Sequence, residues 1–194
     1  MTDLTRDYIL AVDASSSMGI QMPNGQTRWA AVAEAAFGLA QAIEQFDPDG
    51  IQVYTFASGV KEYGNADAQT VANLFSQNRP FGSTNLAGLL NLVLLQKWVP
   101  EVPTTLIIVT DGQPDDKAAA AQSLVAATKK MQSDEQLAIT FVQIGDDPGA
   151  TNFLKFLDDE LMGLGAKFDV VDTFAASEFG NRSIEEILLA AIQD

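Results

Sequence analysis

The chain has 194 residues with no histidine and no cysteine, and its 26 acidic and 11 basic residues leave a formal charge of −15. These counts exclude a Ser-His-Asp triad, a cysteine nucleophile, a disulfide and any thiolate or imidazole zinc site, so a bound metal must be a hard cation held by oxygen ligands. The acidity also argues against a nucleic-acid backbone or an anionic membrane surface as partner, and the length and 47% apolar content fit one globular domain over residues 1–194.

Residues 8–12 are a continuous apolar run ending at Asp13, which fits a strand buried on both faces. Over 27–46, apolar residues recur with helical spacing at Trp29, Val32, Ala33, Ala36, Phe37, Ala40, Ile43 and Phe46, and Asp47-Pro48-Asp49-Gly50 is the stop signal. A second strand is expected at 51–56, a short edge strand at 60–63 and a helix at 68–75. The longest apolar stretch, 86–95, is interrupted by Asn91 and too short to span a bilayer. It opens a helix over 86–98. A fully apolar strand follows at 104–109, then an alanine-rich helix over 115–131 with Asp115 or Asp116 placed to cap it. A strand at 137–144, a helix at 151–161, a short strand at 168–171 and a last helix at 183–192 complete the chain. The last helix opens on a Ser183–Glu186 capping box. Strands alternating with helices imply a mostly parallel sheet covered on both faces, with ligands beyond the carboxyl ends of the strands.

Three such strand ends or adjacent loops carry hard oxygen groups. Asp13-Ala14-Ser15-Ser16-Ser17 follows the first strand, Thr110-Asp111-Gly112 follows the central one, and Phe81-Gly82-Ser83-Thr84-Asn85 opens a helix between them. Alternate residues of an extended segment point the same way, so Asp13, Ser15 and Ser17 can converge, with Asp111 on a neighbouring strand and Thr84 closing the set. Mg²⁺ takes about six oxygens at about 2.0–2.1 Å and commonly keeps waters. Three neutral hydroxyls and two carboxylates neutralise only the charge of a divalent ion, which leaves it electrophilic toward a partner's carboxylate. That is binding by shared coordination and not catalysis.

In these residues the sequence resembles a von Willebrand factor A-type (VWA) domain with a metal-ion-dependent adhesion site (MIDAS). Asp13, Ser15 and Ser17 match its Asp-x-Ser-x-Ser motif, Thr84 its isolated threonine and Asp111 its distal aspartate, and the likeness runs along essentially the whole chain. The resemblance implies a doubly wound α/β fold whose six-stranded, mostly parallel sheet has one antiparallel edge strand. It implies that the three hydroxyls bind the metal directly, and the aspartates directly or through water. It also implies a non-enzymatic protein-binding role, with Mg²⁺ the expected cation and Mn²⁺ or Ca²⁺ left open. Within the family, Gly145-Asp146-Asp147-Pro148-Gly149-Ala150 and Phe156-Leu157-Asp158-Asp159-Glu160-Leu161 are similar to the intracellular bacterial branch linked to tellurium resistance and stress.

Two other classes share part of this pattern. A Mg²⁺-dependent phosphohydrolase of haloacid-dehalogenase type also places an Asp after its first strand, but needs a second acid where this chain has Ser15, and a lysine near a mid-sheet strand end. A nucleotide-binding site would need a glycine-rich phosphate loop and a basic residue to meet phosphates, and neither follows a strand. Nearby residues take plainer readings. Ser16 supports the site from outside, Ser83 caps a helix, Asp115 and Asp116 cap the next one, and Asp146 and Asp147 form a solvated turn. Trp29 is core, while Met18, Ile20 and Met22 are candidates for an exposed apolar rim. The expected partner is a protein presenting an Asp or Glu within a neutral or basic surface, with no nucleic acid and no membrane. The chain itself is expected to be a monomer. The polar start of the sequence, lacking a basic and apolar leader, gives a cytoplasmic expectation.

Overall fold

Successive residues of a strand point to opposite faces, so an unbroken apolar run must be covered on both sides. The computed structural model describes residues 6–45, 49–175 and 183–192. Its strands are β1 (Asp7–Asp13), β2 (Ile51–Phe56), β3 (Val60–Ala66), β4 (Thr104–Thr110), β5 (Leu137–Gln143) and β6 (Val171–Ala175), and they form one sheet in the order β3-β2-β1-β4-β5-β6. All neighbours run parallel except β2 and β3, so β3 is the antiparallel edge, with a register shift opposite Val53 and Tyr54. The α/β class expected from the sequence is the one observed.

Helices α1 (Arg28–Ile43), α2 (Ala68–Gln77) and α6 (Ile184–Ala190) cover one face. There Tyr8, Leu10 and Val12 of β1 join Ile107 and Val109 of β4 in one core. Helices α3 (Leu86–Leu90), α4 (Lys117–Lys130) and α5 (Pro148–Glu160) cover the other, over Ile9, Ala11, Leu106, Ile108 and Phe141. The odd and even positions of β1 and β4 therefore serve two separate cores, which is why residues 8–12 and 106–109 are unbroken apolar runs.

Several boundaries differ from expectation. The helix expected over 86–98 is α-helical only to Leu90 and continues as a π-helical stretch, Asn91–Lys97, in which Trp98 N donates to Val93 O at 2.8 Å. Lys130 Nζ closes its end by donating to Leu94 O and Trp98 O, both at 2.7 Å. Helix α5 starts at Pro148, because Asp147 accepts from Ala150 N at 2.6 Å and proline suits the first helical turn. The last strand lies later than 168–171. Phe168 and Val170 pack on the core, and β6 itself is half polar because Thr173 donates to Asp158 Oδ2 through both N (3.0 Å) and Oγ1 (2.8 Å). Phe46 of the first helical stripe, Asp47 and Pro48 of the stop signal, and the leader expectation at residues 1–5 lie outside the described residues. Among the described residues no helix is long and apolar enough to cross a membrane.

The chain leaves β1 for β2 on one side of the sheet, while β4, its other neighbour, leads to β5 and β6 on the opposite side. The crevice between the carboxyl ends of β1 and β4 is thus a topological switch point, where open α/β sheets hold ligands.

Candidate metal centre

Asp13 ends β1 and Asp111 immediately follows β4, side by side at that crevice, and both are almost fully buried, at 0% and 1% exposure. Each oxygen of Asp13 is held: Oδ1 accepts from Ser15 N at 2.8 Å and Oδ2 from Thr110 Oγ1 at 2.7 Å. The loop then turns as a short 3-10 helix, Ser16–Gly19. It brings the Ser15 and Ser17 hydroxyls within 3.1 Å of each other, and Ser17 Oγ donates to Asp111 Oδ1 at 2.6 Å. Asp13, Ser15, Ser17 and Asp111 therefore form one hydrogen-bonded array.

Thr84 is tethered through its backbone to the loop that follows Asp111. Its N donates to Asp115 Oδ1 at 3.1 Å, and its carbonyl accepts from Asp115 N at 2.9 Å. The preceding residues are laced to the metal-motif loop: Phe81 N donates to Ala14 O at 2.8 Å, Ser16 N to Gly82 O at 3.1 Å, and Gly82 N to Ser16 Oγ at 3.0 Å. Gly82 has φ +99°, and a Cβ there would also meet Ser58 Oγ, so the loop needs glycine at this point. Ser16 thus braces the two loops against each other through its N and Oγ.

Burial is the main force on Asp13. It raises the carboxyl from 3.8 to about 6, against the lowering effect of the Ser15 and Thr110 hydrogen bonds, and the like charge of Asp111 adds to the rise. Asp111 has a cationic partner: Arg28 Nη1 donates to its Oδ2 at 2.8 Å, in an ion pair whose side chains are 14% and 0% exposed.

Several expectations need correction. Met18 is not part of an apolar rim; it is 0% exposed and belongs to the core beneath α1. Met22 packs partly against the same core, which leaves Ile20, 51% exposed, from that trio. Ser83 does not cap a helix. Asn85 caps α3, accepting from Gly88 N at 2.9 Å, while Ser83 Oγ donates to Asp115 Oδ2 at 2.7 Å. Asp116 caps α4, accepting from Ala119 N at 2.9 Å, and Asp115 instead braces the threonine loop. A basic residue does stand at a mid-sheet strand end, though it comes from a helix: Arg28, the first residue of α1. Trp29 is core as expected, its Nε1 donating to Phe75 O at 3.3 Å.

Thr110, Arg28, Asp115 and Phe81 carry no motif signal of their own. Thr110 ends β4 beside Asp13, and its only signal in the sequence is a hydroxyl residue immediately before Asp111. Phe81 opens the threonine segment, and at 83% it is the most exposed large apolar side chain among the described residues.

The donor set suits a hard divalent cation. Among the described residues no cluster of three or more carboxylates gathers; the Ser15 and Ser17 hydroxyls stand beside two buried carboxylates, of which Asp111 is paired with the Arg28 guanidinium. No family model matches the sequence, and no curated protein does. Solved structures share the fold. A von Willebrand factor type A protein from Catenulispora acidiphila superposes with TM-score 0.63 at 14% identity, over 96% of this chain and 42% of its own. Manganese-loaded TRAP protein from Plasmodium vivax gives 0.61 at 15%, over 97% and 74%. Proximal thread matrix protein 1 of the mussel byssus, with a zinc-occupied MIDAS motif, gives 0.59 at 18%, over 100% and 46%. The chain has a VWA-like fold, and it spans less than half the length of two of these three neighbours. Two of those structures hold a divalent cation, manganese in one and zinc in the other.

Proposed function

We propose that this chain is a non-enzymatic protein-binding module that grips an Asp or Glu of its partner through a divalent cation, most simply Mg²⁺. The observation carrying the reading is the hydrogen-bonded array of Asp13, Ser15, Ser17 and Asp111 at the β1/β4 crevice, with Thr84 tethered beside it. Ser15, Ser17 and Thr84 would offer neutral oxygens to the ion, and Asp13 and Asp111 would supply negative charge. When bound, the cation provides an electrophilic position for a carboxylate oxygen. Ile20 and Phe81, exposed on the two laced loops, supply apolar contact beside that position, so the partner's acid sits among apolar neighbours. We place the module in a bacterial stress-response or assembly complex, following the sequence resemblance.

A pull-down from source-cell extract, with and without chelator, tests this reading. The partner should be retained by wild type in Mg²⁺ and lost with chelator, with Asp13→Ala and with Thr84→Ala. Phe81→Ala should weaken retention while Mn²⁺ binding by the isolated protein stays unchanged. Equal recovery under all conditions would overturn the metal-dependent grip, and phosphatase turnover abolished by Asp13→Ala would replace it with hydrolysis.

A further inference from the structure

Arg28 is held in place by three separate features. The loop after the metal motif closes on itself through Arg28 N donating to Ile20 O at 3.0 Å and the Gln21–Thr27 bridge. Thr27 caps α1 by accepting from Ala30 N at 3.1 Å, which sets Arg28 at the first helical position and turns it back over the site. Its guanidinium then lies against Gly145, just beyond β5, where φ is +84° and a Cβ would stand 2.7 Å from Nη2. The carboxyl ends of β4 and β5 thus meet at one cation, whose Nη1 reaches Asp111 Oδ2 at 2.8 Å.

The ion pair bears directly on metal affinity. Asp13, Asp111 and Arg28 together carry a net charge of −1, and a divalent ion among them brings the site to +1. Without Arg28 the same loading would end at zero. A positive charge a few ångströms from a divalent ion, in a site this buried, opposes the ion strongly. Without a divalent ion, the same guanidinium relieves the repulsion between two buried carboxylates and so stabilises the metal-free protein. Both effects weaken metal binding, and the residual positive charge favours an anionic ligand.

We infer that Arg28 is a resident counter-cation: it competes with the divalent ion for Asp111 and leaves the loaded site with a net positive charge for the incoming carboxylate. The inference rests on the metal-site reading above. It assigns Arg28 a tuning role in which metal is held loosely and the carboxylate is held more firmly.

Mn²⁺ alone is titrated into wild type, Arg28→Gln, Arg28→Met, Arg28→Lys and Asp13→Ala, and acetate is then titrated onto each Mn²⁺-loaded protein, with folding followed by circular dichroism. Arg28→Gln and Arg28→Met should bind Mn²⁺ at least about tenfold more tightly, a change of about 1.4 kcal/mol, and bind acetate more weakly. Arg28→Lys, which keeps the charge, should stay within about threefold of wild type for Mn²⁺. A residue that merely supported the loop would give the opposite sign, with looser Mn²⁺ binding in the neutral variants, and that result or unchanged affinity overturns the inference. Should the neutral variants fail to fold, Arg28→Lys decides alone: Mn²⁺ affinity well outside the threefold range overturns it. If wild type itself binds no Mn²⁺, or Asp13→Ala binds as well as wild type, the metal-site reading fails and this inference falls with it.

Discussion

Asp13 has no exposed surface, and its protonation is therefore coupled to folding. Its carboxyl titrates at about 6 in the fold against an ordinary 3.8, so between those values the folded protein without metal binds more protons than the unfolded chain. The stability contributed by protonated Asp13 is fully present below about pH 4 and is lost as pH rises through 6, a change of about 3 kcal/mol. In chelator, wild type should therefore lose stability relative to Asp13→Asn as pH rises across this window, measured by urea unfolding. Saturating Mg²⁺ should reverse the trend, because the ion needs the ionised carboxylate. Parallel pH profiles for wild type and Asp13→Asn in chelator would refute this account of Asp13.

Adjacent acids in the loop after β4 serve different elements. Asp116 satisfies one of the free N–H groups that open α4, whereas Asp115 holds Ser83 and Thr84 in the neighbouring loop. Asp116→Ala should cost about 1 kcal/mol of folding stability and leave Mn²⁺ affinity unchanged. Asp115→Ala should weaken Mn²⁺ binding severalfold at smaller cost to stability; calorimetric titration and thermal unfolding separate the two, and identical behaviour would show that neither loop assignment holds. The contrast also marks how far the sequence could be read. Asp13, Ser15, Ser17 and Asp111 were legible because strand periodicity and a fixed spacing put them at one end of two buried strands. β2 was legible to the residue for the same reason. Arg28 was not, since its place depends on a hairpin loop and on the bare backbone of Gly145. The burial of Met18 is not legible, because nothing in a loop sequence announces a 3-10 turn that points one side chain inward. β6 was placed too early because an edge strand bonded to Asp158 tolerates polar residues that periodicity takes for a loop.

Over the whole molecule, a net charge of −15 means diffuse self-repulsion in addition to the local repulsion at the crevice. Screening shortens the reach of charge from about 10 Å at 0.1 M salt to about 3 Å at 1 M. Raising NaCl across that range should raise the thermal midpoint by several degrees, and equally in Asp13→Ala, because the effect is spread over the surface. A midpoint that stays flat or falls would assign the charge no such role. The buried position of Met18 has a further consequence. The residue sits between Ser17 and Gly19, inside the proposed ligand loop, yet is 0% exposed and packed in the core under α1. The geometry of the hydroxyl ligands is therefore anchored by hydrophobic packing, and the loop cannot spread without drawing that thioether toward water. Peroxide would then reach Met18 only through such an opening, long after it had oxidised the exposed Met162. The sulfoxide, too polar to return to its pocket, would hold the loop open, so the redox history of one buried side chain would set whether the grip can close.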